Sequence, residues 1–376
     1  MDIHGPLSDD GVVRLLTHTG ERIDHPIYSR YADELDDETL RLMWREMVIV
    51  RAFDREATSL QRQGELGLWV ASLGQEAAQV GSGHALRPSD WVFPSYREHA
   101  VAYLRGVDLG NLLRIFRGLE HGAWIPDEHN FHLYTLVIGS HTLHATGYAM
   151  AMDRDGLVAS GDASRDAGVI CYFGDGATSQ GDTNEALIFA TINNAPVVFF
   201  CQNNQWAISE PATKQSKVPF AQRADGVGMP NVRVDGNDVI GTYAVTREAM
   251  DRARSGGGPS FIEAFTYRMG AHTTSDDPTR YRLKSEEEYW AERDPIARLE
   301  TYLERRGALS AEFRAETEQI AKTLAADVRV RTKAAGKPPT HEIFDHVFAE
   351  PHATVDADRA WFERYERSFV ESEGRH

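Results

Sequence analysis

A chain of 376 residues, 41% hydrophobic and 10% aromatic, is long enough to bury the core of one large α/β domain with helical additions. Its formal net charge of −17 denies it the basic face that nonspecific nucleic-acid binding requires, while leaving acidic surface for a basic partner domain. No apolar run approaches the ~20 residues that a membrane span needs, and the acidic start MDIHGPLSDDG has no apolar leader-type run. Two cysteines only, Cys171 and Cys201, both in apolar runs, point to buried reduced thiols and a cytoplasmic protein.

Residues 1–35 are polar and irregular, an arm expected to lie on another surface. Asp36 and Asp37 put negative charge at the start of a long amphipathic helix, with Leu40, Met43, Trp44, Met47, Val48, Phe53 and Leu60 on one face to about Gln63. A second helix is expected from Gln75 to Leu86, where Ala77, Ala78, Gly81 and Gly83 allow close packing. Trp91–Phe93 reads as a short strand delivering Ser95-Tyr96-Arg97-Glu98-His99, followed by helices near 98–105 and 108–117. His121, His129 and His132 invite a zinc reading, but their spacing is wrong for one and no cysteine is near, so they are expected to be structural. Leu136 to Ile138 reads as a short apolar strand, turned by Gly139-Ser140 into a helix at 142–152. Gly161-Asp162-Ala163 imitates a ligand turn without an apolar strand before it and is set aside.

The stretch from Gly168 to Pro211 reads as strand, glycine turn, helix, strand, turn. Gly174-Asp175-Gly176 follows the first strand, Asn203-Asn204 the second, and twenty-six residues (177–202) separate them. In a parallel sheet both turns would emerge at the carboxyl edge, where ligands bind. Asp175 offers a carboxylate, Asn204 an amide oxygen and the following turn a backbone carbonyl. Such a hard oxygen set, with phosphate oxygens and water, suits Mg2+. The glycines let backbone approach closely, and a helix starting near Gly181 would direct its first N–H groups towards phosphate. Neither a GxGxxG fingerprint nor a Walker-type lysine loop is present. Further strands at 231–234 and 260–267 flank a helix at 239–255, completing an alternation that argues for a mostly parallel sheet flanked by helices. A charged loop, 268–289, follows. Beyond Asp294-Pro295 the chain reads as helical and charged. The expected division is an arm (1–35), an α/β domain (36–294) and a helical C-terminal region (295–376).

Taken with GQEA (74–77), SYREH (95–99), RVDGNDV and YRMGAHTTSDDPTRYR, the central stretch resembles the thiamine diphosphate motif. More narrowly, residues 35–350 resemble the alpha subunit of the decarboxylating component of 2-oxo acid dehydrogenase complexes. The resemblance implies a thiamine-diphosphate-binding fold. It implies Asp175, Asn204 and the carbonyl of Trp206 as Mg2+ ligands, with Gly176 and Ala177 on the diphosphate through backbone amides. Tyr96 and Arg97 would bind the diphosphate, and an arginine fork suits phosphate oxygens. Leu136 and Ile138 would touch the cofactor's rings, although any core strand could supply such residues. His272 would be the active-site histidine of a mobile loop, near the diphosphate and reaching substrate or lipoyl group, with Arg268 supporting that loop.

The reaction so implied is decarboxylation of a 2-oxo acid with the thiazolium ring as electron sink, then acyl transfer to a lipoyl arm. The partners so implied are a beta subunit, which supplies the ring-activating glutamate in an α2β2 heterotetramer, and a lipoyl-bearing acyltransferase component. The AHTTSDD loop and WIPDEHNFHLYT look most like enzymes of branched-chain 2-oxo acids; pyruvate or acetoin remains the alternative, and a noncatalytic scaffold subunit or a standalone transketolase-like enzyme a more distant one. Three departures stand out. Gln202 occupies a place where relatives from higher organisms often have a phosphate-binding arginine. Thr273 replaces the serine that their regulatory kinases modify. Thr135, Ser140 and His141 fall where some relatives bind potassium, for which histidine is a poor ligand.

Overall fold

Five strands form a wholly parallel sheet: β1 (Trp91–Phe93), β2 (Val169–Gly174), β3 (Val197–Asn203), β4 (Asn231–Asp235) and β5 (Ser260–Phe265), in the spatial order β1-β2-β3-β5-β4. The structure is a computed structural model that describes residues 11–120, 122–336 and 339–373. The first ten residues of the arm, and His121, lie outside the described residues.

The central strands are apolar at nearly every position, as a sheet covered on both faces requires. Side chains alternate across the pleat and so divide between two cores. Ile170, Tyr172, Val198, Phe200, Ile262 and Ala264 join the first; Val169, Cys171, Phe173, Val197, Phe199, Cys201 and Phe261 join the second. Helices Asp37–Arg62, Glu76–His84, Val239–Arg254, Pro295–Arg305 and Ala311–Ala334 close the first core, and Ser140–Arg154 and Gly181–Ile192 the second. The result is the α/β fold expected, with helices on both faces and a helical C-terminal region ending in Ala353–Glu373. Among the described residues, no helix is long and apolar enough to cross a membrane.

Local chemistry sets the element boundaries. The Asp36 carboxylate accepts Thr39 N–H at 2.8 Å and caps the first long helix. Both cysteines are buried and free, and burial pushes their thiols well up, so they are inert packing groups. Gly81 lies where Glu76–His84 crosses Val239–Arg254; a Cβ there would sit 2.5 Å from the Val239 carbonyl and 3.0 Å from Thr242 Cβ. Gly81→Ala is therefore expected to cost about 1–3 kcal/mol through forced separation of the two helices. Thermal melting checks this, and an unchanged melting temperature would show that the helices part freely.

One local expectation is corrected. Leu136–Ile138 is not a strand but an exposed turn, whose Val137 carbonyl accepts Ser140 N–H and Oγ–H at 3.3 and 2.9 Å. The edge of β1 that it might have joined is taken by residues 130–132, since Val92 N–H donates to Asn130 and His132 N–H to Val92. The arm, in its described part, lies on its own chain. Val13 exchanges backbone hydrogen bonds with Arg233 and Asp235, and the N–H groups of Leu15 and Leu16 donate to Asp238 Oδ2 at 2.6 and 2.8 Å. The arm thereby covers the outer edge of β4, which would otherwise offer unpaired backbone.

Candidate functional site

β2 and β3 end side by side, with Gly174 in register against Gln202, so the two polar turns meet at the carboxyl edge of the sheet. Asp175 opens a 3-10 turn, Asp175–Ser179, before the α-helix begins at Gly181. That turn supplies Gly176 and Ala177 to the cavity wall, and Gln180, the N-cap of the α-helix, lines it as well. A Cβ on Gly176 would stand 3.0 Å from Ala207 Cβ, so the glycine lets the two turns close on each other.

The asparagine pair divides its work. Asn203 faces the protein interior, donating to Glu263 at 2.7 Å; Asn204 faces the cavity. The turn beyond is strained, with Gln205 at φ 70° and Ile208 at φ 55°, a region a β-branched residue rarely adopts. Arg268 braces it from beneath. Fully buried, it donates to the carbonyls of Trp206 and Ile208 and to the Tyr281 hydroxyl, each at 2.8 Å. Tyr281 donates to Asp276, which accepts His272 N–H at 2.8 Å. The loop carrying His272 is thus tied to the turn carrying Trp206.

Arg97 ties the same loop from the other side. Its guanidinium donates to the Ala71 carbonyl and, through Nη2, to the His272 carbonyl at 3.0 Å and Nδ1 at 3.3 Å. Residues 69–74 form a ledge under both: Trp69 bonds Thr274 through its N–H and its carbonyl, and Leu73 accepts Met269 N–H. The buried Asp54 carboxylate holds this ledge through Trp69 Nε1–H at 2.7 Å and Ser72 N–H; burial pushes its pKa up to about 7.

These segments enclose a cavity of about 180 Å3. It brings together Tyr96, Arg97, Ile138, Asp175, Gly176, Ala177, Asn204, Trp206 and His272. Leu136 does not line it; this residue is 60% exposed on the surface nearby. Burial, with Arg97 and Arg268 adding to it, holds His272 down at about 3, so its imidazole is neutral. Because a guanidinium can only donate, Nδ1 is the acceptor and Nε2 carries the proton. Burial also raises the Tyr96 hydroxyl, and it raises the Asp175 carboxyl to about 6 despite a hydrogen bond from Gln215 at 2.8 Å.

The donor set fits a divalent cation. Asp175 is a buried carboxylate that, among the described residues, pairs with no lysine or arginine. Asn204 Oδ1 accepts one hydrogen bond, from Trp206 N–H at 3.3 Å, and the Trp206 carbonyl one, from Arg268; each oxygen keeps a second lone pair. A carboxylate, an amide oxygen and a carbonyl favour Mg2+ over softer metals.

Gln75, Glu98 and Gln180 line the wall without a role in the sequence reading, and Gln202 and His141, noted there only as departures, line it too. Gln75 and Glu98 lie within motifs already singled out, but sequence does not show which way they face. Glu98 is buried, its carboxyl raised by desolvation, and accepts from Ser95 Oγ, Arg97 N–H and Gln202 Nε2. Gln202 is thus committed to Glu98 and to Gln79, which donates to its Oε1 at 3.1 Å. His141 Nε2 bonds the Tyr172 carbonyl at 2.7 Å, leaving a buried Nδ1 without a partner; burial lowers its pKa to about 4. Of the three histidines weighed for zinc, His129 bonds the Arg105 carbonyl, His132 stacks on Phe93, and His121 lies outside the described residues. Asp162 is exposed and merely folds its own turn onto Ser164.

Comparison with known proteins agrees with this geometry. Residues 44–344 match the model of the family described as dehydrogenase E1 component. The chain is 45% identical over 331 residues to a 3-methyl-2-oxobutanoate dehydrogenase subunit alpha of Mycobacterium tuberculosis, covering 88% of each chain. It is 41% identical over 325 residues to a pyruvate dehydrogenase E1 component subunit alpha of Acholeplasma laidlawii, covering 84% of this chain and 90% of that one. A protein of the same description from Staphylococcus aureus is 36% identical over 326 residues, covering 86% and 84%.

Proposed function

This chain belongs to the dehydrogenase E1 component family, and on that premise we propose that it is the alpha subunit of a branched-chain 2-oxo acid dehydrogenase, acting on acids such as 3-methyl-2-oxobutanoate. The observation that carries the reading is the meeting of Arg97, Asp175, Asn204 and His272 in one cavity, from four separate stretches of chain. The branched-chain preference is supported by the higher identity to the 3-methyl-2-oxobutanoate enzyme than to the pyruvate enzymes.

Thiamine diphosphate, when bound, supplies the electron sink for decarboxylation. This chain's residues do the holding. Asp175, Asn204 and the Trp206 carbonyl would take Mg2+. Arg97 and Tyr96, with the amides of Gly176 and Ala177, would take the diphosphate, and Ile138 and Leu136 would serve the ring end. His272, neutral and protonated at Nε2, can donate a hydrogen bond from Nε2 to the substrate or lipoyl group.

The family works with beta subunits and a lipoyl-bearing acyltransferase, and an α2β2 assembly suits this chain. The ring-activating carboxylate would come from the beta subunit, because the cavity's own Glu98 is already committed to three partners. Leu136, Val137, Ile138 and Ile208, exposed around the mouth, offer apolar surface for that subunit to cover. The division into arm (1–35), cofactor domain (36–294) and helical region (295–376), and a cytoplasmic location, belong to the same reading.

The test is a substrate panel with co-expressed beta subunit. Decarboxylation of 3-methyl-2-oxobutanoate should exceed that of pyruvate in kcat/KM by about tenfold or more, within what a hydrophobic pocket can discriminate over two extra carbons. A preference for pyruvate would overturn the branched-chain assignment. Failure to take up Mg2+ and thiamine diphosphate would favour a scaffold subunit instead.

A further inference from the structure

Gln75 is fully buried, lines the cavity, and has an amide nitrogen with no hydrogen-bond partner. An unsatisfied buried N–H2 is costly, and it is tolerated where a ligand will satisfy it. The direction of this amide follows from its neighbours. The backbone N–H of Trp206 can only donate, so the Asn204 atom facing it is Oδ1. Asn204 therefore presents Nδ2 to Gln75, at 3.2 Å, and Gln75 must answer with Oε1. The Gln75 Nε2 is left over, and its two hydrogens have no acceptor from the protein.

The backbone beneath is held firmly. Gly74, at φ 94°, sits so close to the Tyr267 carbonyl and Met269 Cγ that a Cβ would stand 2.5 and 2.7 Å from them. Glu76 on the other side accepts Gly74 N–H at 3.0 Å and pairs with Arg51 at 2.7 Å. Gln75 N–H itself donates to the Ser72 carbonyl at 2.9 Å. The side chain thus projects from a fixed point at the head of helix Glu76–His84.

We propose that Gln75 has two linked tasks at this site: its Oε1 fixes the orientation in which Asn204 offers an oxygen to the metal, and its Nε2 donates directly to an anionic oxygen of the cofactor's diphosphate. This rests on the thiamine diphosphate reading above. It also bears on Gln202, which stands where relatives often have a phosphate-binding arginine and which is itself committed to Glu98. Gln75 adds a neutral donor at the same end of the cavity.

Two substitutions separate the tasks. Gln75→Glu keeps an acceptor for Asn204 but faces the diphosphate with a carboxylate; Gln75→Met keeps the shape and loses both functions. Calorimetric titration of Mg2+ and thiamine diphosphate into the alpha/beta complex gives the affinities, and melting of the unliganded complex reports the fold. Gln75→Met is expected to weaken cofactor binding about tenfold to a hundredfold, as loss of a hydrogen bond to a charged group does. Gln75→Glu should weaken it at least as much at saturating Mg2+. A merely structural role would lower melting in both variants and spare affinity in the folded fraction. Wild-type uptake with unaltered affinity in Gln75→Met overturns the inference alone. A wild-type complex that takes up no cofactor overturns the reading of the site, and this inference with it.

Discussion

Replacing Asp175 with asparagine is expected to abolish Mg2+-dependent cofactor uptake while leaving the unliganded complex at least as stable as before. Burial holds this carboxyl up at about 6, against an ordinary value of 3.8. The native state therefore binds this proton more tightly than the unfolded chain does. The stability so contributed is fully present below about pH 3.8 and is lost as pH rises through about 6. At pH 7.5 the ionised, unliganded site works against the fold by up to about 3 kcal/mol. Asparagine removes that opposition. It also removes the only charge the protein offers the metal among Asp175, Asn204 and Trp206, so affinity should fall more than about a hundredfold. Calorimetry and thermal melting of the same preparations read both quantities. For the wild type, Mg2+ affinity should climb as pH rises through about 6, with a proton released on binding. A variant that melts well below wild type yet still binds cofactor would sink this account.

Arg268→Met is expected to be the most damaging change outside the ligands themselves. It would strand the buried Trp206 carbonyl and take a donor from the part-buried Ile208 carbonyl and Tyr281 hydroxyl. Each buried acceptor left unpaired costs about 1–3 kcal/mol. The strained backbone at Gln205 and Ile208 would lose its brace as well. The Trp206 carbonyl would then drift from the metal position, and the loop bearing His272 would lose its tie through Tyr281 and Asp276. The expected result is a drop in kcat of about a hundredfold or more, on the scale of losing one well-placed electrostatic group, with faster proteolysis within 268–282. Lysine should not restore function, since one ammonium on a flexible stem cannot span the two carbonyls as the planar fork does. Full activity in Arg268→Lys would show that charge alone suffices.

Much of this was legible in the sequence because its signals were local. Continuous apolar runs before Gly174 and Asn203 mark buried parallel strands, and their spacing alone places Asp175 and Asn204 at one edge. The Asp36 cap and the close packing at Gly81 were likewise written in short stretches. What escaped was decided across the chain. Leu136–Ile138 has strand composition, yet the sheet edge it needed is occupied by residues 130–132. Gln75 sits inside a recognised motif, but its importance lies in a hydrogen bond to a residue 129 positions away. Arg268 was legible as a loop support; that it grips the Trp206 turn depends on how β5 ends beside β3.

The strand order has a further consequence, for the timing of synthesis. β4 is made before β5, yet of the five strands its neighbour is β5, which inserts between β3 and β4. All three positions proposed to face the metal have been translated by residue 206, but Asn203 waits for Glu263 and the Trp206 turn for Arg268. A chain still on the ribosome can therefore carry all three positions while the Trp206 turn lacks its brace. The brace of the Trp206 turn therefore arrives only when the last strand takes its place in the middle of the sheet.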